Sequence, residues 1–200
     1  MQTLLIASTN PGKLREMQAI LQSLAVQLVL PADLGIHLDV VEDGGTYLAN
    51  AQKKALAYQQ ASGLLTLADD SGLEVDALDG APGVISARFS PKPGATDADR
   101  RTYLLEKLSA YPQPWPAHFH CTVVIATPQG TQSHHTGNCY GQIIAEERGT
   151  NGFGYDPIFY LPELEKTMAE LPDKHKNHIS HRAMALLASL PSLSNLLQAA

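Results

Sequence analysis

The chain has 200 residues, of which 44% are hydrophobic and 17% are charged, a balance typical of one globular domain rather than of a disordered chain. Fourteen Lys and Arg residues against twenty Asp and Glu residues give a net charge of −6 at pH 7. This charge argues against a protein that coats nucleic acid, because such proteins present a basic face. A small anionic ligand remains compatible with it if a few cations gather locally.

The sequence carries no signal for a membrane or for secretion. No apolar run approaches the roughly 18–20 residues of a membrane span, and the first ten residues lack the basic start of a signal peptide. We expect the two cysteines, Cys121 and Cys139, to be reduced and to pack as small hydrophobic side chains. A cytoplasmic protein without membrane association is therefore predicted.

Hydrophobic spacing in the first half of the chain predicts strands and helices in alternation. Asn10 and Pro11 are typical of a helix start, and Gly63 is typical of a helix end. The predicted elements are a strand over 3–7, a helix from Pro11, a strand over 26–30, a helix from about Thr46 to Ser62 and an extended segment from Leu64.

The second half continues this mixture and predicts an α/β fold around a mixed sheet. Thr96 and Asp99 have the spacing of a capping box and open a helix to about Ala110. The proline-rich residues 111–116 indicate either a boundary between two lobes or a surface loop. The other predicted elements are strands over 118–127 and 131–140, a glycine-rich loop over 146–155, a non-helical segment before Ser180, and a final helix that Pro191 ends or kinks.

The first segment with chemical character is Ser8-Thr9-Asn10-Pro11-Gly12-Lys13. It joins a predicted strand to a helix whose first turn contains Lys13. Backbone N–H groups and the positive end of a helix favour an anion, and the lysine adds a full charge. The glycine pattern of a Walker A loop is absent, so an ordinary capped helix with an exposed lysine is the alternative.

The second segment contains two adjacent carboxylates, Asp69 and Asp70, followed by Ser71. At the end of a strand, one of two neighbouring carboxylates can face a ligand while the other is held by the protein. Hard oxygen ligands suit Mg²⁺, which bridges to substrate phosphates, and one carboxylate could accept a proton from an attacking water. The same residue types also favour a plain turn.

Acidic and basic residues near the second helix extend this pattern. Glu42 precedes the helix and is a candidate third oxygen ligand, or else a solvated loop acid. Lys53 and Lys54 are adjacent within the helix and cannot share a face. We therefore expect one lysine to lie in solvent and the other to point inward.

The third segment is Gly152-Phe153-Gly154-Tyr155-Asp156-Pro157. Flexible backbone around Phe153 would let its ring lie flat against a planar ligand, and Asp156 could accept hydrogen bonds from that ligand. A tight turn with a core aromatic residue explains the pattern equally well.

The fourth segment runs from Lys174 to Arg182. Lys176, His181 and Arg182 are donors that could meet phosphate oxygens or carbonyl groups. An alternative is a metal site built from His175, His178 and His181 at three-residue spacing, although zinc would need a clear fourth ligand position.

Taken together, these segments resemble the inosine/xanthosine triphosphatase (Ham1-like) family of purine nucleoside triphosphate pyrophosphatases. The resemblance spans nearly the whole chain, and its motifs occur in the family's order and spacing. They are S-T-N-P-G-K at 8–13, A-D-D-S-G-L at 68–73, G-A-P-G-V-I-S-A-R-F-S at 80–90, G-F-G-Y-D-P-I-F at 152–159 and K-N-H-I-S-H-R at 176–182.

The resemblance implies a fold and an activity. The fold would be an elongated mixed β-sheet flanked by helices, a single ITPase-like domain over residues 1–200 with two lobes around a central cleft. The activity would be Mg²⁺-dependent hydrolysis of ITP, dITP, XTP and dXTP to the monophosphate and pyrophosphate, which removes them from the nucleotide pool. The resemblance also implies a homodimer, with no nucleic acid polymer and no membrane as partner.

The resemblance assigns roles to individual residues. Asp70 would be the catalytic base and a metal-linked carboxylate, with Asp69 supporting catalysis and Glu42 supporting the metal. The residues that would contact the substrate comprise a phosphate cradle and inward lysine (Ser8, Thr9, Asn10, Pro11, Gly12, Lys13 and Lys54), then Ser71, and a base-holding set (Phe153, Gly154, Tyr155, Asp156, Lys176, His181 and Arg182).

The chemistry of the purine base agrees with one of these roles. Inosine and xanthosine carry a carbonyl at purine position 6, where adenine carries an amino group. Arg182 can only donate hydrogen bonds, so it would favour the carbonyl and disfavour adenine.

Two positions depart from the family pattern. Ala49 stands where the family usually has an acid, which removes the acidic member of a capping box that begins at Thr46, a loss of about 1 kcal/mol. Pro91 follows Ser90 where the family has glycine, which alters a loop near Arg88.

Two alternatives to this activity follow from the same residues. One is a sanitising pyrophosphatase for modified pyrimidine nucleotides, and the other is a nucleotide-binding regulator without turnover. The intact Asp69-Asp70 pair and Lys13 argue against the regulator.

Overall fold

The computed structural model of the chain describes residues 2–22, 24–130 and 132–199. Within these ranges, helices and strands are joined by loops and short 3-10 helices. The elements are β1 (Thr3–Ile6), α1 (Pro11–Leu21), β2 (Gln27–Val29), α2 (Tyr47–Ser62), β3 (Leu65–Val75), α3 (Asp97–Leu108), β4 (Trp115–Ala126), β5 (Gln132–Ile143), β6 (Phe159–Leu161), β7 (Lys166–Thr167), α4 (Asp173–Ile179) and α5 (His181–Ala199).

The seven strands form one mixed sheet in the order β2-β1-β3-β4-β5-β6-β7. Strand β1 pairs in parallel with β2 and with β3, whereas β6 pairs antiparallel with both β5 and β7. The prediction of an α/β fold with a mixed sheet flanked by helices is confirmed.

The chain divides into two compact units. Unit 1 comprises the described parts of 1–70, 121–137 and 181–200, and unit 2 comprises 71–120 and 138–180. The proline-rich residues 111–116 lie within unit 2 rather than at a boundary, and β4 begins inside them at Trp115, whose side chain is buried.

Unit 1 has a hydrophobic cluster on each face of its strands, since successive strand residues point to opposite faces. One cluster contains Leu4, Ile6, Met17, Leu67, Cys121 and Leu186, and the other contains Leu5, Ala7, Ala55, Tyr58 and Val124. Unit 2 has its own core, which includes Leu73, Leu104, Phe119, Tyr155 and Phe159.

The helix starts follow the capping chemistry of the sequence. The side chain of Asn10 accepts hydrogen bonds at the start of α1, and Thr96 and Asp99 form a complete capping box at α3. Gly63 ends α2 with a left-handed φ of 69°, a conformation that glycine adopts without steric cost. These predicted helix boundaries are confirmed.

The C-terminal region differs from the prediction in three respects. Residues 173–179, predicted to be non-helical, form α4, which has Asp173 in its first turn and Lys176 in its last, an arrangement that complements the helix dipole. Pro191 does not end α5, because apolar side chains on both sides of it, including Leu186 and Leu193, are buried in unit 1. Helical spacing predicts that Leu187 shares one face of α5 with Ala183 and Leu186, but Leu187 is exposed whereas the other two are buried.

Three smaller observations complete the fold. The second predicted strand of the later half began at Thr131, which lies outside the described residues, and β5 is described from Gln132 to Ile143. Cys121 and Cys139 are buried and form no disulfide. Among the described residues, no helix has both the length and the apolar character needed to cross a membrane.

Candidate active site

The two adjacent carboxylates of β3 lie in unit 1 and point to opposite faces of the strand. Asp69 is fully buried and contacts Cys121, which belongs to the first hydrophobic cluster of unit 1. Asp70 accepts a 3.0 Å hydrogen bond from the Asn50 amide on α2, the helix that packs on the second cluster. The strand therefore gives the two carboxylates different surroundings.

Asp69 is surrounded by cations. Its Oδ2 lies 3.0 Å from Nζ of Lys13 on α1 and 3.2 Å from Nε of Arg182 on α5. Burial acts to raise the pKa of Asp69, but Lys13, Arg182 and Lys54 lower it more, so the net pKa lies well below its usual range. Asp69 is consequently an anion at every pH at which the protein is expected to work.

Asp70 has the opposite character. Burial raises the pKa of Asp70 above its ordinary value of 3.8, although the Asn50 hydrogen bond, Lys13 and Lys54 act to lower it. A carboxylate with a raised pKa is a better proton acceptor than its neighbour. Of the two residues, Asp70 therefore fits a general base and Asp69 fits a fixed negative charge.

The inward lysine is Lys54. Its Nζ donates a 2.9 Å hydrogen bond to the backbone carbonyl of Asp69 and lies 2.5 Å from Oε1 of Glu42. Burial acts to lower the pKa of Lys54, but Asp69 and Glu42 raise it above its usual 10.5. Lys53 instead pairs with Asp43 at the surface, as the adjacency of the two lysines predicted.

Asn50 is a site residue that sequence reasoning missed. It is buried, and besides donating to Asp70 it accepts a 2.7 Å hydrogen bond from the Gly44 N–H. It therefore fixes Asp70 and the loop that carries Glu42 at once. Its only sequence signal is its position one helical turn before Lys54.

The Ala49 departure leaves half of the cap in place. The Thr46 hydroxyl still accepts a hydrogen bond of 3.1 Å from the Ala49 N–H. A side chain on Gly44 would place its Cβ 2.7 Å from the Ala49 Cβ, so this loop packs directly on the first turn of α2.

The phosphate-cradle segment is an Asn-capped helix start. The Asn10 side chain accepts hydrogen bonds from the N–H groups of Gly12 and Lys13 at 2.9 and 3.1 Å. Two first-turn donors that we expected to be available for an anion are therefore used by the cap. Ser8 is buried and Thr9 is exposed, and the positive charge nearest to this turn is that of Lys13.

Arg182 lies among the carboxylates of unit 1. Its side chain is 1% exposed, and besides the contact with Asp69 its Nη1 donates to the Glu16 carboxylate on α1. Burial acts to lower the pKa of Arg182, but Asp69 and Glu16 raise it. In this structure the guanidinium is held by two carboxylates of unit 1.

The base-holding segment lies in unit 2. Nζ of Lys176 on α4 lies 2.6 Å from Oδ2 of Asp156, and both side chains are nearly inaccessible. The same oxygen accepts a 3.0 Å hydrogen bond from the Phe153 N–H, and Nζ of Lys176 lies 5.0 Å from the centre of the Phe153 ring, within the range of a cation–π contact.

Gly152 is required at this position for two reasons. Its φ is +78°, and an added Cβ would lie 2.0 Å from Oδ2 of Asp156 and 3.0 Å from Nζ of Lys176. The backbone therefore approaches the Asp156–Lys176 pair more closely than any side chain would allow.

Other predicted contacts are placed less favourably. Tyr155 is buried in the core of unit 2, and its hydroxyl donates a 2.9 Å hydrogen bond to the Ser86 carbonyl, so it supports the loop rather than presenting a polar group. His181 is buried at the start of α5, and Ser71, partly exposed, follows Asp70 on β3.

The candidate metal ligands supply hard oxygen atoms. Nζ of Lys54 lies 2.5 Å from Oε1 of Glu42 and 2.9 Å from the backbone carbonyl of Asp69, the residue before Asp70. Oδ1 of Asp69 is buried without a hydrogen-bond partner. This donor set fits Mg²⁺, which keeps several waters and needs only one or two carboxylates.

The described residues contain no group of three or more His, Cys, Asp or Glu side chains arranged to hold a metal ion. This includes the three-histidine alternative, and α4 ends at Ile179 before α5 begins at His181, so the three histidines do not share one helix.

Comparison with known proteins identifies the class to which this fold and site belong. A model of the Ham1 family matches residues 4–191, and the chain belongs to that family. The resemblance drawn from its motifs is confirmed.

Individual relatives match along nearly their full lengths. The dITP/XTP pyrophosphatase of Desulforamulus reducens is 45% identical over 194 residues, which cover 96% of both chains. That of Desulfotalea psychrophila is 46% identical over 183 residues, which cover 92% of this chain and 81% of the relative. The solved structure of a HAM1 protein from Coxiella burnetii is 41% identical, covers 100% of both chains and superposes with a TM-score of 0.86.

Proposed function

We propose that this protein is a dITP/XTP pyrophosphatase, which hydrolyses non-standard purine nucleoside triphosphates to the monophosphate and pyrophosphate. The observation that carries the proposal is the different surroundings of the two neighbouring acids. Asp69 pairs with Lys13 and Arg182 at 3.0 and 3.2 Å, whereas Asp70 accepts a 3.0 Å hydrogen bond from the neutral amide of Asn50. Hydrolysis of a phosphoanhydride needs a proton acceptor beside groups that neutralise phosphate charge.

Asp70 is assigned the role of general base, which accepts the proton of the attacking water. Its raised pKa supports this role, and the Asn50 hydrogen bond holds its carboxylate in one orientation. Lys13 and Lys54 are assigned to supply positive charge for the phosphate oxygens, and the rest of the segment 8–13 is assigned to the same phosphates.

Mg²⁺ is the proposed cofactor, held by Asp70 and Glu42. When bound, it would neutralise charge on phosphate oxygens. Among the chain's own residues, Lys54 pairs with Glu42 and Asn50 orients the Asp70 carboxylate.

Phe153, Asp156 and Lys176 are assigned to the purine base. The half-buried ring of Phe153 offers an apolar face, and the adjacent Asp156–Lys176 pair offers an acceptor and a donor. Gly154, His181 and Arg182 remain predicted base contacts from the family resemblance, although Arg182 is held by carboxylates here.

A panel of triphosphates tests the proposal. The purified protein is incubated with Mg²⁺ and, separately, with dITP, XTP, dATP, dGTP and a methylated pyrimidine triphosphate, and pyrophosphate and phosphate are measured apart. We expect pyrophosphate from dITP and XTP far in excess of that from dATP. Binding of every nucleotide without release of pyrophosphate would favour the nucleotide-binding regulator. Release of pyrophosphate from the methylated pyrimidine triphosphate alone would favour the sanitising pyrophosphatase for modified pyrimidine nucleotides.

The remaining expectations are a single two-lobed domain, a homodimer and a cytoplasmic location. Two buried thiols that form no disulfide support a reducing compartment. Light scattering at two protein concentrations measures the oligomeric state, with a mass near twice that of the chain expected.

A further inference from the structure

Both backbone polar groups of Gly154, its N–H and its carbonyl, form hydrogen bonds with side chains of helix α3. Nη1 of Arg101 donates a 2.8 Å hydrogen bond to the Gly154 carbonyl, and the Gly154 N–H donates a 2.8 Å hydrogen bond to Oδ2 of Asp97. All three residues belong to unit 2. We call this arrangement of Asp97, Arg101 and Gly154 the α3 clamp.

The clamp is itself held rigidly. Nε and Nη2 of Arg101 donate to the two carboxylate oxygens of Glu147, each at 2.8 Å. Such a forked pair fixes the plane of the guanidinium, and the Arg101 side chain is only 12% exposed. Asp97 is fixed as well, because Arg100 donates to its other oxygen.

The clamp acts on Phe153 through the backbone. Gly154 and Gly152, on either side of Phe153, have φ values of 61° and 78°. Glycine backbone is conformationally free in the unfolded chain, so holding the Phe153 ring in one orientation requires that this freedom be lost. Asp156 and Lys176 fix the Gly152 side, and on the Gly154 side the α3 clamp supplies both hydrogen bonds.

We propose that Arg101, supported by Asp97 and Glu147, is a positioning residue that presents the Phe153 ring to the substrate's base. It acts on the affinity for the purine rather than on phosphate chemistry, since none of its contacts reaches Asp70 or the lysines of unit 1. The proposal rests on the proposed function in assigning Phe153 to the base. Asp97, Arg101 and Glu147 all lie outside the five motifs of the family resemblance.

Kinetics test the assignment with Arg101→Met, which keeps the apolar stem, and Arg101→Lys, which keeps the charge without the fork. We expect KM for dITP to rise about tenfold in Arg101→Met, the size of one lost charge-assisted hydrogen bond, with kcat within about twofold of wild type. Arg101→Lys should recover part of the loss, and Lys107→Met, on the same helix, should match wild type. An unchanged KM, or a fall in kcat at constant KM, would overturn the proposal.

Hydrogen exchange tests the clamp without turnover. In nucleotide-free protein, the Gly154 amide should exchange at least about tenfold faster in Asp97→Ala and in Arg101→Met than in wild type, whereas amides in the centre of α3 keep their rates. An unchanged Gly154 rate would refute the clamp. If wild type released no pyrophosphate but the Gly154 amide responded, the proposed function would fail while the clamp stood.

Discussion

Unit 1 pairs two of its buried carboxylates with two cations, whereas unit 2 buries one carboxylate–lysine pair beside an aromatic ring. In unit 1, Lys13 and Arg182 form ion pairs with Asp69 and Glu16, whereas Asp70 accepts a hydrogen bond from the neutral amide of Asn50. In unit 2, Asp156 and Lys176 satisfy one another, and glycine backbone closes over them. The arrangement in unit 1 lowers the pKa of Asp69 while that of Asp70 is raised. The arrangement in unit 2 holds the backbone around Phe153 in one conformation.

The largest expected effect comes from removing the acceptor of unit 1. Asp70→Asn should lower kcat for dITP by about 1,000-fold, because the amide cannot take the proton from water. Nucleotide binding, measured by calorimetry in the variant, should survive. Asp76→Asn, at an exposed acid of the same segment, serves as the control. Substantial residual turnover in Asp70→Asn would refute the assignment of the base.

Breaking the charge balance of unit 1 should cost stability. Arg182→Ala leaves the buried carboxylates of Asp69 and Glu16 without their shared cation, a loss of about 3–5 kcal/mol. Urea unfolding measures it. The ratio of dITP to dATP turnover, measured in parallel, tests the other role predicted for Arg182: a stable variant with eroded discrimination would favour base reading over charge balance.

Disturbing the backbone beside the Asp156–Lys176 pair of unit 2 should weaken the affinity for the nucleotide more than it slows turnover. Gly152→Ala adds a Cβ that would lie 2.0 Å from Oδ2 of Asp156, so the Asp156–Lys176 pair must shift, at a cost of about 1–3 kcal/mol. We expect KM for dITP to rise and kcat to change less. Gly94→Ala is the matched control, since Gly94 also has a positive φ but nothing lies within 4 Å of its added Cβ. Equal effects of the two changes would show that backbone strain alone is responsible.

The smallest expected effect is on acid stability and belongs to unit 2. Hydrogen bonds from Lys92 and Thr96 hold the pKa of Asp99 below its ordinary 3.8. Burial acts to raise the pKa of Asp97, but the Gly154 N–H and Arg100 lower it more. A depressed folded-state pKa contributes stability that is present above the unfolded value and lost as the pH falls through the folded value.

The urea midpoint should therefore decline as the pH drops below about 4, and Asp99→Asn should decline less steeply over that interval. Glu163→Gln, at an exposed acid of the same unit, should keep the wild-type slope. An identical slope in Asp99→Asn would contradict the contribution of this carboxylate.

Local chemistry made most of the fold predictable. Asn10, Thr46 and Thr96 mark helix starts by their capping side chains, and each cap is observed. The helix over 173–179 was not predicted because its seven residues have no apolar periodicity. Pro191 was predicted to end or kink the last helix, but side chains on both sides of it pack in unit 1 and the helix continues.

Candidate site residues could be predicted where residue types within one short motif indicate their chemistry. Contacts between residues that are distant in sequence could not be predicted. Asp69 and Asp70 follow from residue type. The adjacency of Lys53 and Lys54 predicts only that one of them points inward, and the family resemblance selects Lys54. Glu16 meets a partner 166 positions away, and Arg101 meets Glu147 across 46 positions, so no local pattern marks either residue. Arg182 likewise pairs with Asp69 and Glu16, which are distant in sequence, so no local pattern marks those ion pairs. Its contact with the base stays a prediction.

The two thiols have a practical consequence for work on this protein. Burial raises the pKa of Cys139 to about 12, and burial, with Asp69 next, raises that of Cys121 further still. Because only the thiolate reacts with maleimides, neither native cysteine should compete with one introduced at the surface. The natural chain can thus receive a single fluorophore or spin label on either unit without first being made cysteine-free, and movements within each unit during turnover become directly measurable.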